Sequence, residues 1–449
     1  MFTLSPRVFV LLILAAGSRP GKIDAGTEVR DAGAADPLLT LSWTGGARIK
    51  ARLATDAAGG EQFLGWYDSK LKVDCELLSA TDGAVRCIPR ERISLIDGLF
   101  SDRACTRPAL QRLEVGLGGC SSAPRYSPTI DLSCPGRFRV FEVGEPLHPQ
   151  QLFERNDGKR CEEFATDNRP PVYARGREVK ASELVAVTAR APRGDAGVGA
   201  VALELADGAR GWRLHDLAGG FECKANLSSD GVTRCLPWEV VAPNGAQWGC
   251  TPRFGVESSR SGCGTTPLLE RGQTYEWDYF ELAKPRDGGG AAPVPRSRFP
   301  SAPEHGARAP AQSRLEPLVA SWSREVSTFS GWRDSALATR CMAERASDGT
   351  LRCVPLTSTA VTGLYADATC TARLALAPTG DCAPRLALQY VDGCDVRARV
   401  FRVGARHTGP VYSPAFGVGC RSMTDARAFY RLGAEVPPEA MAPLTEVLR

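Results

Sequence analysis

Residues with the means to do chemistry are few in this chain. It holds four His, His148, His215, His305 and His407. None lies in the His-Glu-x-x-His spacing that sets two zinc ligands on one helix face, and no Gly-x-Ser-x-Gly elbow presents a nucleophile. The 16 Cys lack the close Cys-x-x-Cys pairs of a zinc site. The stretch GVGAVA at 197–202 loosely fits a dinucleotide loop, but RAPRGDA precedes it where a buried strand is required. No cofactor, metal or catalytic residue is therefore assigned. What remains is Trp66 with Asp68 and Trp332 with Asp334, each set in Gly-Trp-x-Asp-Ser. Trp faces suit sugar rings and cations, so one reading is a ligand contact made twice. The other is a core Trp beside an Asp that accepts hydrogen bonds from turn amides, and we favour it. Asp102 and Asp367, in SDRACT and ADATCT, pose the same choice. Active sites are seldom duplicated within one chain, so two copies favour binding over catalysis.

Those residues sit in a repeat. The stretch at 63–89, FLGWYDSKLKVDCELLSATDGAVRCIP, returns at 329–355 as FSGWRDSALATRCMAERASDGTLRCVP, and in a worn form at 211–237. Upstream, DPLLTLSW ending at Trp43 resembles EPLVASW ending at Trp322. Downstream, RFRVFEVG at 137–144 resembles RARVFRVG at 397–404. Such self-similarity marks a repeated structural unit. The boundaries expected are a signal peptide at 1–17, a disordered segment at 18–36, repeat one at 37–188, a truncated repeat two at 195–283, a flexible Pro/Gly-rich linker at 284–315 and repeat three at 316–449.

The Cys divide the same way. Cys75, Cys87, Cys105, Cys120, Cys134 and Cys161 belong to repeat one; Cys223, Cys235, Cys250 and Cys263 to repeat two; Cys341, Cys353, Cys370, Cys382, Cys394 and Cys420 to repeat three. The first two Cys of each group are 12 apart, with Asp-Gly between them and Arg just before the second. Asp-Gly between alternating residues signals a hairpin turn, because Gly takes positive φ without a Cβ clash. A disulfide straight across a hairpin is expected, with the third Cys then bonded to the fourth. Repeat two lacks both the last third of the unit and the last two Cys, so Cys134–Cys161 and Cys394–Cys420 are expected to pair.

Short apolar stretches such as LALQYV and RARVFRV alternate at period two and are broken by turn residues. The fold class expected is mainly β: tandem small antiparallel units, each a sandwich or open barrel, stapled by disulfides, with few short helices. The best helical candidates are 182–189 and 437–448. Net charge is +4, with 55 basic and 51 acidic residues and no Lys/Arg block, which argues against nucleic acid as a partner. One Arg, an apolar run and small residues open the chain, as in a secretory signal peptide, and no later segment is long and apolar enough to span a membrane. An even, patterned Cys set fits export.

The combination Gly-Trp-x-Asp, two Cys 12 apart with Asp-Gly and Arg-Cys-x-Pro, and YRLGAEVPP near the end resembles uncharacterised secreted, Cys-rich repeat proteins of myxobacterial type. That group carries no assigned activity, so the resemblance implies location and architecture only. Its lipid-anchored members need a Cys where Ser18 stands, so no anchor is expected here. The function expected is a secreted or cell-surface, non-enzymatic protein that binds a polysaccharide, envelope component or protein through its repeats. The alternative is an exported hydrolase or inhibitor whose site is not recognisable.

Overall fold

The computed structural model describes residues 41–449 apart from 58, 91–94, 113–123, 132–136, 149–150, 156–159, 165–170, 195–196, 228–231, 238–253, 260–275, 282–291, 294–295, 307–312, 358, 377–384, 392–396, 416–418 and 424–427. The expected signal peptide and the segment 18–36 lie outside the described residues, as do Cys120, Cys134, Cys250, Cys263, Cys382 and Cys394.

The chain is mostly β, in several small antiparallel sheets. The repeated stretch builds a four-stranded meander. In unit one it comprises β1 (Ile49–Thr55), β2 (Glu61–Asp68), β3 (Val73–Ser79) and β4 (Val85–Pro89). Along β1, Ile49, Ala51 and Leu53 point inward at every second position, as a pleated strand with one buried face requires. Residues 80–84 join β3 to β4, with Gly83 at φ +80 and the Ala84 amide donating to Asp82 at 3.1 Å. Unit two repeats the meander with Val198–Leu205, Arg210–Asp216, Phe221–Leu227 and Thr233–Pro237. Unit three does so with Leu315–Ser321, Ser327–Asp334, Thr339–Arg345 and Leu351–Pro355.

The disulfides Cys75–Cys87, Cys223–Cys235 and Cys341–Cys353 staple the three hairpins. They do not run straight across. The five-residue loop sets Cys75 opposite Pro89 and Cys87 opposite Leu77, so each bond crosses the ladder diagonally, with Cα atoms 5.3 Å apart in unit one. Closing so short a loop stabilises by about 3 kcal/mol. The upstream match also shifts: EPLVAS in unit three forms the first strand, in register with IKARLAT of β1, so Trp322 follows that strand whereas Trp43 precedes it.

The units are not independent. After each meander the chain crosses the fourth strand of its own unit and then pairs with the first strand of the next. The Arg before the second Cys makes the first contact. Arg86, Arg234 and Arg352 donate to the carbonyls of Leu184, Phe299 and Met441 at 2.7, 3.1 and 3.0 Å. The Cys amide makes the second, from Cys87, Cys235 and Cys353 to the carbonyls of Val185, Pro300 and Ala442. Beyond these clasps, Val187–Ala189 joins the first strand of unit two and Glu304–Gly306 that of unit three. Thr445–Leu448 returns to β1 of unit one, which closes a ring.

Two expectations change here. Neither 182–189 nor 437–448 is an α-helix; each holds one 3-10 turn (Ala181–Glu183, Pro438–Ala440) followed by the clasp strand. Their apolar spacing comes from serving two sheets in turn: Leu184 and Met441 pack beneath their own unit, while Val187 and Leu444 pack at the next junction. The stretch read as a flexible linker supplies a clasp too. Phe299 is 2% exposed, and Ser301–Ala302 and Glu304–Gly306 pair with units two and three. It stands in for the closing segment that repeat two lacks.

Units one and three each add an outer seven-stranded sheet. In unit three, Ala360–Tyr365 pairs with both Arg373–Leu376 and Leu386–Val391, closing five of the strands into a small barrel. The outer disulfides are Cys105–Cys161 and Cys370–Cys420, which corrects the expected Cys134–Cys161 and Cys394–Cys420 and the third-to-fourth pairing in units one and three. Sheet order decides this. Leu95–Phe100 lies beside Leu152–Arg155, which lies beside Cys161–Phe164, so the loop carrying Cys105 ends against Cys161.

Candidate functional site: a cavity where three sheets meet

The meanders pack pairwise around the ring. Ile49, Ala51 and Trp66 meet Val201 and Leu203 between units one and two. Val198, Ala200 and Leu214 meet Val326 and Trp322 between two and three. Ala54 and Leu64 meet Leu315 and Trp332 between three and one. Sheets that face each other in threes cannot fill their common centre, and a cavity of about 1010 Å³ remains there.

Its wall repeats with the units. Phe63, Trp212 and Phe329 hold one register position in the three second strands, and all three line the cavity. Units one and three carry an extra residue at this point, Leu64 and Ser330, opposite a register shift in the first strand. The next residue, Gly65 or Gly331, has φ of +145 or +125, which a side chain rarely tolerates. Unit two lacks the extra residue. Trp212 therefore replaces Phe63, and Leu214 replaces Trp66, although the Gly-Trp pair at 211–212 reads like Gly65-Trp66. Trp43 stacks on Phe63 with ring centroids 3.7 Å apart and lies 5.1 Å from Trp212. The buried indole N–H of Trp212 finds no acceptor among the described residues.

The charged lining is largely neutralised. Arg52 pairs with Asp74 and with Glu446, Glu446 with Arg345 at 2.8 Å, Arg90 with Glu76, and Arg213 with Glu222 at 2.9 Å. Glu446 comes from the clasp strand, so ring closure also completes this network. Gln62 accepts the Ala343 amide at 2.7 Å and ties unit one to unit three across the cavity. Glu344 differs: burial raises the pKa of its carboxyl, against a hydrogen bond from the Tyr390 hydroxyl at 3.0 Å. A carboxyl whose folded pKa lies above its ordinary 4.5 stabilises the fold fully below that pH and loses the contribution as pH rises through the folded value. Glu344→Gln is thus expected to raise the melting temperature at pH 8 and leave it unchanged at pH 4. A melting curve with equal shifts at both pH values would show that ionisation of Glu344 carries no cost.

Of the four residues singled out in the sequence, Trp66 lines the cavity. Trp332 is fully buried between units three and one. Asp68 and Asp334 are fully buried and accept turn amides, from Lys70 and Leu71 and from Ala336 and Leu337. Arg48 and Arg314 each clamp the same carboxylate from the other side and donate onward to the carbonyls of Glu183 and Ala440. Asp216 holds the matching place in unit two and takes the Gly219 amide at 2.7 Å. Asp102 and Asp367 bind amides of their own loops, which lowers their pKa values, the Thr hydroxyls at Thr106 and Thr369 being the largest cause. Among the described residues no three or more His, Cys, Asp or Glu side chains come together to hold a metal.

The profile of DUF7481, a family of unknown function, matches residues 35–246 and 327–441, well over half of the chain. The chain belongs to this family. No curated protein and no solved structure matches it. The two DUF7481 segments include Phe63, Trp212 and Phe329, so the aromatic wall lies within the matched regions, while the clasp at 299–306 lies between them.

Proposed function

We propose that this protein is a secreted or cell-surface, non-enzymatic binding protein that holds a saccharide of its envelope or surroundings in the central cavity. The observation that carries this reading is the equivalent placement of Phe63, Trp212 and Phe329, one from each sheet, in the lining of the cavity. Aromatic faces stack on the apolar faces of sugar rings. The paired arginines and carboxylates around them offer hydrogen bonds to hydroxyls without a strong net field. The disulfides support an oxidising compartment, in line with the secretory start of the sequence and its resemblance to exported proteins of myxobacterial type. Among the described residues no helix is long and apolar enough to cross a membrane.

Titration of the full chain with a panel of neutral and acidic oligosaccharides, followed by tryptophan fluorescence, tests the reading. Trp212→Ala is expected to weaken binding at least tenfold, about 1.4 kcal/mol, with the hairpin disulfides still formed. Equal affinity in the variant, or no response across the panel, would remove the cavity as the site. A hydrolase reading rests on Glu344 alone, since a carboxyl with a raised pKa suits a general acid. Loss of reducing-end release in Glu344→Gln would favour it.

A further inference from the structure

The cations that line the central cavity are Arg52, Arg90, Arg213, Arg345 and Lys224. The four guanidiniums are held in ion pairs with Asp74, Glu76, Glu222 and Glu446. Arginine is the rule in this chain, which has only eight Lys. The difference matters chemically. A guanidinium keeps its proton in any protein, whereas an amine can lose it, and a neutral amine is a nucleophile. Among the described residues of the cavity wall, Lys224 alone carries an amine.

Lys224 lies in Phe221–Leu227, two residues on from Glu222 and on the same face of the strand. The register that sets Leu214 opposite Cys223 brings Arg213 alongside it, and Arg90 lies within electrostatic reach from unit one. Like charges side by side across a ladder are unfavourable. Packing does not demand a cation here. The matching position, just after the first Cys of the hairpin, is Glu76 in unit one and Met342 in unit three. The Lys224 side chain is exposed, because it lines an open cavity, yet protein surrounds it on most sides. This enclosure brings the pKa of the amine down to about 8; Glu76 opposes the change, and Arg90 and Arg213 add to it. At pH 7 such an amine is neutral in about one molecule in ten, against roughly one in 2500 for a Lys at its ordinary value of about 10.4.

We propose that Lys224 captures a reducing saccharide in the cavity as an imine. The amine adds to the aldehyde carbon of the open-chain end. A C=N bond then replaces the C=O bond, and the carbonyl oxygen leaves as water with the two protons of the neutral amine. No oxidant or reductant takes part, and water reverses the step. The aromatic side chains hold the sugar rings, while the imine fixes which end of the ligand sits against unit two. Attraction to an acidic sugar by charge alone is the weaker account of this Lys, since Arg pairs with a carboxylate through two parallel hydrogen bonds and is the common cation of the wall. The inference rests on the saccharide reading of the cavity and adds one requirement to it, a free reducing end.

The test uses the full chain with disulfides intact, at pH 7 with sodium cyanoborohydride, which fixes an imine as a stable secondary amine. The probes are glycolaldehyde, the trisaccharides maltotriose, cellotriose and chitotriose, and the alditol of each trisaccharide, which has no aldehyde. Peptide mass spectrometry locates the adducts. Glycolaldehyde is expected to label Lys224 faster than the other Lys side chains by about tenfold or more, at a rate that climbs through about pH 8. A trisaccharide that binds is expected to leave an adduct on Lys224, and its alditol to bind without one. Lys224→Arg keeps the cation and is expected to lose the adduct at an unchanged melting temperature. The inference is overturned if glycolaldehyde labels all Lys side chains alike, or if a trisaccharide binds and leaves no adduct on Lys224. Binding by no trisaccharide and no alditol, with Lys224 still labelled preferentially by glycolaldehyde, would overturn the saccharide reading and leave Lys224 as a site for another aldehyde.

Discussion

Removal of residues 441–449 is expected to abolish cooperative folding of the three-sheet ring. Those residues bury Met441, Ala442 and Leu444, which are 1%, 4% and 7% exposed. They also supply the strand on β1 and the Glu446 carboxylate that Arg52 and Arg345 share. Without them β1 becomes an open sheet edge, and Arg352 and the Cys353 amide lose the carbonyls they meet. Truncating one buried Met to Ala costs about 2–5 kcal/mol. Loss of the whole clasp is comparable with the roughly 5–15 kcal/mol that holds a typical native protein. Chemical denaturation of the truncated chain, with Met441→Ala as the milder companion, reads this directly. A truncated chain with an unchanged midpoint would mean that the ring does not depend on its closure.

Arg48→Ala is expected to destabilise by about 3–5 kcal/mol, because it leaves Asp68 charged and enclosed. Asp68 has no exposed surface, and Arg48 meets it through two nitrogens while also reaching the Glu183 carbonyl. One guanidinium thus joins the start of β1, the turn after β2 and the unit's own clasp. Asp68→Asn beside Arg48→Ala should recover part of the loss, since a neutral amide still accepts the Lys70 and Leu71 amides. A double-mutant cycle measures the coupling. Arg314 and Asp334 form the same pair in unit three and should respond alike. A loss below about 1 kcal/mol for Arg48→Ala would place this pair with ordinary surface ion pairs.

The hairpins were legible in the sequence because their determinants are local. Two Cys at fixed spacing, Asp-Gly between them and alternating apolar residues suffice to give β3, β4 and the bond that joins them. The Arg before the second Cys was visible as a repeated letter, but its purpose was not. The carbonyl it meets lies about a hundred residues away in unit one, on a segment whose apolar spacing imitates a helix. Trp212 was misplaced by one bulge, since alignment by letters counts the residue that the ladder skips. The outer disulfides depend on the order of strands in a sheet, which Cys spacing does not encode. The central cavity was least legible. Its wall takes one residue from each of three distant segments, and nothing near Phe63 announces Phe329.

The closed ring has a consequence for the timing of folding. Each first strand is completed by a segment made later or earlier than itself, and β1 waits longest: its partner lies nearly four hundred residues downstream, at Thr445–Leu448. Unit one therefore cannot mature while the rest of the chain is still being synthesised. Its hairpin can form and oxidise early, but its outer edge stays unpaired until residues 441–448 have been made. A chain built this way holds its assembled state in reserve until Thr445–Leu448 are in place. Assembly of the ring is then one late step that the three units take together, not a sequence of independent foldings.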